Sequence, residues 1–519
     1  MIPTKKYILP ILLSVSMVFF SGCDVEETSD DRLSGDQFWN KGNATNVEAF
    51  ILSMYSSFRK ATMINSGFIT VTGDLRCAPI APSSTDWTSG YISSMANNDL
   101  KDLISRFNWR EAGYPVNITN WKTFYESIQQ ANILLKEVTN VPNLSPQQVN
   151  SFKAEATFIR NLAYFFLVRV FGDVPYYTNA YNSTPLPRTD MVTVLKSCLS
   201  ELQAVLDTDP NAEILPWTFP GSSKKAVRAT RGGCIALMMH INLWLVQFDN
   251  RNSEQYYQHV VDLGDELVNK NGGTYSLLGI DRSSTIFRGG SDEGLFEIVQ
   301  DINAKENFLF EAIFSNLAAY SYDPGRTQRS VLYYTREFLA QIFPAEITED
   351  RRPKVWFNNS YAPDNVGESS PSVKNERKEI TKFWNVDTYS GGQITSNAGN
   401  QIVFRYADAI LLYAEALAAS GNDAEATLLL NRIRNRAGAP EISATGIELQ
   451  DAIYWERVRE LIGEGHYYYD LVRTGKLCDR KYCSQSISRT SFNAGAWTWP
   501  IHSDALKNNT YMTLNSFWE

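Results

Sequence analysis

Histidine is scarce in this chain. Only His240, His259, His466 and His502 occur in 519 residues, and no two of them stand three or four positions apart. A helical pair of metal-binding histidines is excluded, and metal-dependent hydrolysis has little to build on. Cysteine is sparse too: six residues, scattered, cannot staple a fold of this length, so the core must hold itself together. Cys478 and Cys483 are close enough to close a small bridge or to remain thiols, and as a zinc half-site they lack a second half. Basic charge is also short, with 48 Lys and Arg against 57 Asp and Glu, a net charge of −9 and no basic cluster. A phosphate-tracking surface is thereby excluded, and nucleic acid is not an expected partner. No nucleophile elbow, phosphate loop or metal-ligand motif occurs, so no cofactor and no metal are expected. What is abundant is apolar: 44% of the residues are hydrophobic and 13% aromatic, enough to bury a globular core.

The one long apolar run is at the start. Lys5 and Lys6 precede Ile8 to Phe20, which falls short of the ~20 residues of a spanning helix, and Ser21-Gly22-Cys23 follows. This is the pattern of an export signal, and its close resembles a bacterial lipoprotein signal in which Cys23 is acylated and becomes the first mature residue. Removal of residues 1–22 takes away Lys5 and Lys6 and moves the net charge from −9 to −11. Residues 24–31 carry five acids and no base, a composition that solvates itself and reads as a flexible tether. An acidic stretch directly after a lipidated cysteine also resembles the surface-export signal of some Gram-negative lipoproteins.

Helical periodicity dominates the remainder. Val47, Phe50, Ile51, Met54, Tyr55 and Phe58 follow the i, i+3, i+4, i+7 template, with Asn43 or Asn46 as N-cap. Similar stripes predict helices over 121–138, 147–171, 189–206, 224–248, 253–268, 331–342, 404–419, 424–436 and 449–461. Gly172-Asp173-Val174-Pro175 is a helix stop after Phe171. Around Gly421-Asn422 two helices form a hairpin with small residues, Ala414 and Ala426, where they would touch, in the manner of a tetratricopeptide unit. Residues 70–98, 269–329 and 358–399 break the pattern. They are rich in Gly, Ser, Asn, Asp and Pro with aromatics among them, and Leu295–Val299 reads as a strand. The expected fold is mainly α, a tetratricopeptide-like superhelix of helical hairpins with a smaller irregular, loop-rich part.

These segments resemble the SusD/RagB family of surface nutrient-binding lipoproteins. The resemblance runs through Gly35-Asp36-Gln37-Phe38-Trp39, Met54-Tyr55-Ser56-Ser57-Phe58-Arg59, Ala154-Glu155-Ala156-Thr157-Phe158-Ile159-Arg160 and Phe171-Gly172-Asp173-Val174-Pro175. It continues in Arg405-Tyr406-Ala407-Asp408, Tyr413-Ala414-Glu415-Ala416-Leu417, Leu430 to Gly438, Glu456-Arg457-Val458-Arg459-Glu460-Leu461, Glu464-Gly465 and Trp499-Pro500-Ile501. His466 stands where the family usually carries Arg. The resemblance implies a signal peptide (1–22), a tether (23–34), an amino-terminal helical region (35–230) and a carboxy-terminal region with ligand-side loops (231–519). It also implies outer-membrane attachment through acylated Cys23 and a SusC-like TonB-dependent transporter as partner, with an oligosaccharide or, alternatively, an oligopeptide as ligand.

The resemblance places ligand contacts in the general area after the first helix, and the choice of residues there is chemical. Trp87 and Tyr91 offer faces for sugar CH groups, Asp74 accepts from hydroxyls, and Arg76, Asn97 and Asn98 donate. Asp74 and Arg76 have the alternative of pairing with each other. Trp384 and Tyr389, in the later loop, are secondary candidates. A glycosidase would need a raised-pKa acid beside an ionised carboxylate, and no motif selects such a pair. The row Glu456, Glu460, Glu464 has arginines at helical spacing beside it and reads as structural ion pairing.

Overall fold

Ser145-Pro146-Gln147-Gln148 shows how locally these helices are specified. The Ser145 hydroxyl accepts from the Gln148 amide at 3.2 Å, and the Gln148 side chain accepts from the Ser145 amide at 2.9 Å. This capping box, with proline where an amide would have no intrahelical partner, launches Pro146–Phe171. Gly172 ends it at φ +73°, a conformation that costs other residues a Cβ clash, and its amide closes on the Val168 carbonyl at 2.9 Å. Asn43 and Asn46 both act at the first long helix: Asn43 Oδ1 accepts from the Thr45 and Asn46 amides while Asn46 Oδ1 accepts from the Asn43 amide.

The computed structural model describes residues 35–63, 68–82, 93–106, 118–219, 225–300, 332–358, 360, 379–383 and 399–519. Its principal helices are α1 (Ala44–Met63), α2 (Lys122–Glu137), α3 (Pro146–Phe171), α4 (Met191–Asp207), α5 (Arg231–Phe248), α6 (Ser253–Asn269), α7 (Tyr406–Ala419), α8 (Asp423–Ala437), α9 (Gly446–Glu460) and α10 (Tyr467–Arg473). From α1 to α9 each helix packs on the next in this order, so the molecule is mainly α and tetratricopeptide-like, as expected. The hairpin α7–α8 turns at Gly421, and Ala414 and Ala426 are fully buried in it.

Among the described residues, the strands form three antiparallel ribbons. They are β1 (Ile80–Pro82) with β3 (Leu332–Tyr334), β2 (Gly294–Ile298) with β6 (Gln401–Arg405), and β4 (Phe357–Asn358) with β5 (Glu379–Ile380). The strand read at 295–299 is therefore present as β2. Four expectations are corrected. Residues 332–334, read as the start of a helix, pair with β1, and helix resumes only at Arg336, capped by Thr335. Residues 404–405 end β6, and residues 225–230 precede α5, whose cap is Thr230, its hydroxyl accepting from the Gly233 amide at 3.0 Å. The segment from Thr70, read as loop, instead continues helix Phe68–Thr70 into a buried π-helical turn, Val71–Leu75. Composition misled there because Thr72, Gly73 and Asp74 are turn formers whose polar groups find partners inside the protein.

Candidate ligand-recognition face

The π-helical turn is threaded through the carboxy-terminal half. Thr72 Oγ1 donates to the Phe68 carbonyl at 2.6 Å and accepts from the Tyr469 hydroxyl at 2.7 Å. A Cβ on Gly73 would lie 2.0 Å from the Gly465 carbonyl oxygen, so only glycine lets the two backbones approach. Asp74 accepts from the Gly465 amide. Arg76 donates through Nε to Asn98 Oδ1 at 2.8 Å and through its terminal nitrogens to the carbonyls of Ala496, Trp497 (2.6 Å) and Thr498 (3.0 Å). Its guanidinium lies 4.7 Å from the centre of the Tyr468 ring.

Two expected ligand contacts are thereby corrected. Asp74 and Arg76 are 2% and 1% exposed and engaged with the interior, not with each other, so neither side chain is offered to a ligand. They are supports. Burial pushes the Asp74 carboxyl up to about 7 against the opposing pull of the Gly465 amide and Lys382.

Among the described residues, Asn97 and Asn98 are the expected contacts that reach the surface. Asn97 is exposed, with Oδ1 3.5 Å from Gln485 Nε2, and half-buried Asn98 sits at φ +58° with its Oδ1 taken by Arg76. Beside them, Ile80 pairs with Tyr334 and Ala81 with Tyr333. The β1–β3 ribbon therefore holds together the chain just before 83–92, which carries Trp87 and Tyr91, and the chain just after 301–331. Trp87, Tyr91, Trp384, Tyr389 and Cys23 lie outside the described residues.

A network of buried charge surrounds α9 and β6. Glu456 meets Arg352 at 2.6 Å, Arg434 at 2.7 Å and Arg459 at 3.2 Å. Glu460 meets Arg405 at 2.8 Å and also Arg436, while Glu464 meets Lys382 at 2.5 Å and Arg405 at 2.6 Å. Burial alone would raise the carboxyls of Glu456, Glu460 and Glu464, but the surrounding cations outweigh it and hold all three below the usual range. Lys382 is lowered to about 8 by burial, against the attraction of Glu464. The carboxylate row is thus clamped by cations that favour its ionised form, which suits a strut and not a proton donor.

Sequence spacing missed one cluster. His240 on α5, Asp408 on α7 and His466 ahead of α10 come together, each with a ligating atom within 4.8 Å of the others. His240 Nε2 is 2.7 Å from Asp408 Oδ2, the two imidazoles stack at 5.6 Å, and Arg457 donates to Asp408 Oδ1 at 2.8 Å. The donor set has the spacing of a metal site, but a guanidinium on the same carboxylate opposes a dication there. Burial lowers both histidines, His466 to about 4, while His240 and Arg457 hold the Asp408 carboxyl well below its usual range against its own burial. Only tertiary packing could reveal it, since the three residues lie on three separate segments. An open groove of about 730 Å³ between α4, α5 and α6, lined by Lys196, Gln203, Asn242, Tyr256 and Glu266, contains none of the residues picked from the sequence.

The described residues thus form a helical-hairpin scaffold with three short ribbons and a network of buried ion pairs around α9 and β6. The chain belongs to the SusD family. The SusD family model matches residues 319–518, and a second model, described as starch-binding associating with outer membrane, matches 53–231. A SusD homolog of known structure from Bacteroides thetaiotaomicron is 56% identical, with 93% of this chain and 100% of that chain covered at a TM-score of 0.85. A SusD-like protein of Formosa agariphila is 24% identical over 91% of this chain and 92% of its own. A laminarin-binding SusD-like protein shares the fold at 22% identity and a TM-score of 0.66, covering 91% of this chain and 98% of its own. No helix among the described residues is long and apolar enough to cross a membrane.

Proposed function

We propose that this chain is a cell-surface lipoprotein that binds an oligosaccharide and acts as a lid delivering it to a SusC-like TonB-dependent transporter in the outer membrane. The observation that carries this reading is SusD-family membership along nearly the whole chain, supported by a family model described as starch-binding and outer-membrane-associated and by a relative that binds laminarin. In this reading Cys23 is the acylated anchor and 24–34 the tether. Trp87 and Tyr91 supply stacking faces, Asn97 and Asn98 supply amide hydrogen bonds, and Trp384 and Tyr389 extend the site. Sugar rings suit this set because their CH faces stack on aromatics while their hydroxyls take amide donors and acceptors.

Titration of the purified chain against a panel of glucans, other glycans and oligopeptides tests the ligand class. Saturable glycan binding without new reducing ends is the expected result. Binding of peptides only, or release of sugar ends, would overturn it. Trp87→Ala should weaken binding of the identified glycan by roughly 1–3 kcal/mol and leave the melting curve unchanged, since this is the scale of a recognition anchor. Cys23→Ala should move the protein out of the membrane fraction, and mild detergent extraction should recover the wild type with a barrel transporter.

A further inference from the structure

The open groove of about 730 Å³ between α4, α5 and α6 falls within the range of about 300–1,000 Å³ typical of clefts that hold a small ligand. Helical spacing builds both walls. Lys196, Leu199, Ser200 and Gln203 stand at i, i+3, i+4 and i+7 on α4, and Gln255, His259, Asp262 and Glu266 stand at i, i+4, i+7 and i+11 on α6, so each helix turns one stripe to the groove. Met238 and Asn242, one turn apart on α5, line it together with Leu263 of α6, and all three are buried. Asn242 is 1% exposed, and its Nδ2 donates to the Met238 carbonyl at 2.8 Å. The other end of that amide, Oδ1, has no hydrogen-bond partner among the described residues. A buried acceptor in this state lacks a donor that the fold does not supply.

We infer that this groove is a second ligand site, for a short neutral oligosaccharide. Lys196 is the one lysine or arginine of the lining, and it is held by Asp249 at 2.6 Å, so no cation is left over for an anionic ligand. Glu266 is likewise held by Arg231 at 2.5 Å, and the Tyr256 hydroxyl donates to Asp249. Asp262 has no ion pair among the described residues. It accepts from Gln258 on its own helix at 2.9 Å and keeps further lone pairs for a ligand. The side chains of Ser200 and Gln255, exposed on opposite walls, make no hydrogen bond to a described residue. The lining therefore asks for hydroxyl groups: Asn242 Oδ1 and Asp262 accept, Ser200 and Gln255 donate or accept, and Leu199, Met238 and Leu263 offer apolar surface to the CH face of a ring. The groove shares no residue with segment 93–98 or with the β1–β3 ribbon, and its ligand class is read from its own lining, independently of what the ribbon face binds.

The test maps hydrogen exchange on the full chain with and without maltotriose, laminaritriose, cellotriose, xylotriose or mannotriose, with trialanine as the non-sugar control. At least one trisaccharide should slow exchange saturably in peptides covering 196–203 and 252–266, and trialanine should not. Gln255→Ala and Asp262→Ala, both on the exposed wall, should each weaken the apparent affinity read from that protection about tenfold, the scale of one lost hydrogen bond, at an unchanged melting temperature. Asn242→Leu, which has no acceptor, should remove the protection. Trp87→Ala should leave it intact, so that failure of glycan binding at the ribbon face and failure of this site are read separately. Absence of protection over 196–203 and 252–266 with all five sugars overturns the inference. So does equal protection by trialanine, full affinity in both Gln255→Ala and Asp262→Ala, or loss of the protection in Trp87→Ala.

Discussion

The amino-terminal helices and the carboxy-terminal half bury their surfaces by opposite means. Around α1, α2 and α3 the contacts are aromatic: Phe58 meets Phe166 at 5.5 Å, Phe68 of the short helix after α1 meets Phe124 at 5.0 Å, and Trp121, the residue before α2, meets Phe171 at 5.3 Å. Around α9 and β6 the interior is instead a lattice of Arg352, Arg405, Arg434 and Arg436 with Glu293, Glu456, Glu460 and Glu464, all nearly inaccessible. Aromatic packing divides into many small dispersive contacts, so a change of shape is felt locally. A buried charge lattice does not divide, because each ion is tolerable only while its partners remain. The rigid seat of the ribbons is the second kind, and its geometry is correspondingly all-or-none.

The largest effect that would test this contrast is Arg405→Met. It removes the partner shared by Glu293, Glu460 and Glu464 and should cost roughly 3–5 kcal/mol in denaturant titration, as expected when a buried charge loses its counterion. A loss no larger than that of a surface variant would show that the lattice relaxes more easily than its burial implies. Next, Ala414→Leu should cost roughly 1–3 kcal/mol by overpacking the α7–α8 hairpin, read by the same titration.

Asp74→Asn separates the two kinds of interior by pH. The folded-state carboxyl is raised to about 7 by burial, so between about pH 4 and pH 7 the unfolded chain releases a proton that the folded chain keeps, and folding stability from this group falls as pH rises. The amide removes that loss. The variant should therefore gain roughly 1–3 kcal/mol on wild type between pH 4 and pH 8. Glu456 and Glu464 run the other way: their depressed carboxyls stabilise above the ordinary glutamate range, and that contribution is lost as pH falls through their folded values. A flat pH difference between Asp74→Asn and wild type would remove Asp74 from this account. The smallest effect belongs to the aromatic half, where Met54→Leu, close in volume and fully buried, should cost less than about 1.5 kcal/mol.

The helices were legible because their signals are local. The Ser145 capping box, the Gly172 stop and the Gly421 turn each act within a few residues, and apolar spacing orients the faces between them. The row Glu456, Glu460, Glu464 was read as structural from arginines at helical spacing, yet only Arg459 pairs with Glu456 at that distance, and Glu460 and Glu464 are held by Arg405, Arg436 and Lys382 from distant segments. The site was less legible. Asp74 and Arg76 carry the chemistry of sugar contacts, yet both are withdrawn into the slot formed by Gly465 and residues 496–498, and nothing within the segment 70–76 announces that slot. Strand pairing of Leu332–Tyr334 with Ile80–Pro82 was hidden for the same reason, since a three-residue strand has too little pattern to override the apolar stripe that continues into the helix at Arg336.

By itself, then, the sequence determined the helical hairpins, their ends and the absence of a histidine or cysteine framework, because caps, glycine turns and side-chain periodicity act over one or two turns of backbone. The tertiary structure alone decided that Asp74 and Arg76 are supports, that Asn97 and Asn98 remain at the surface, and that His240, Asp408 and His466 converge. Each of these depends on which distant segment fills the space around a side chain. Desolvation and the supply of partners, not residue type, then fix whether a polar group is buried, charged or free to meet a ligand.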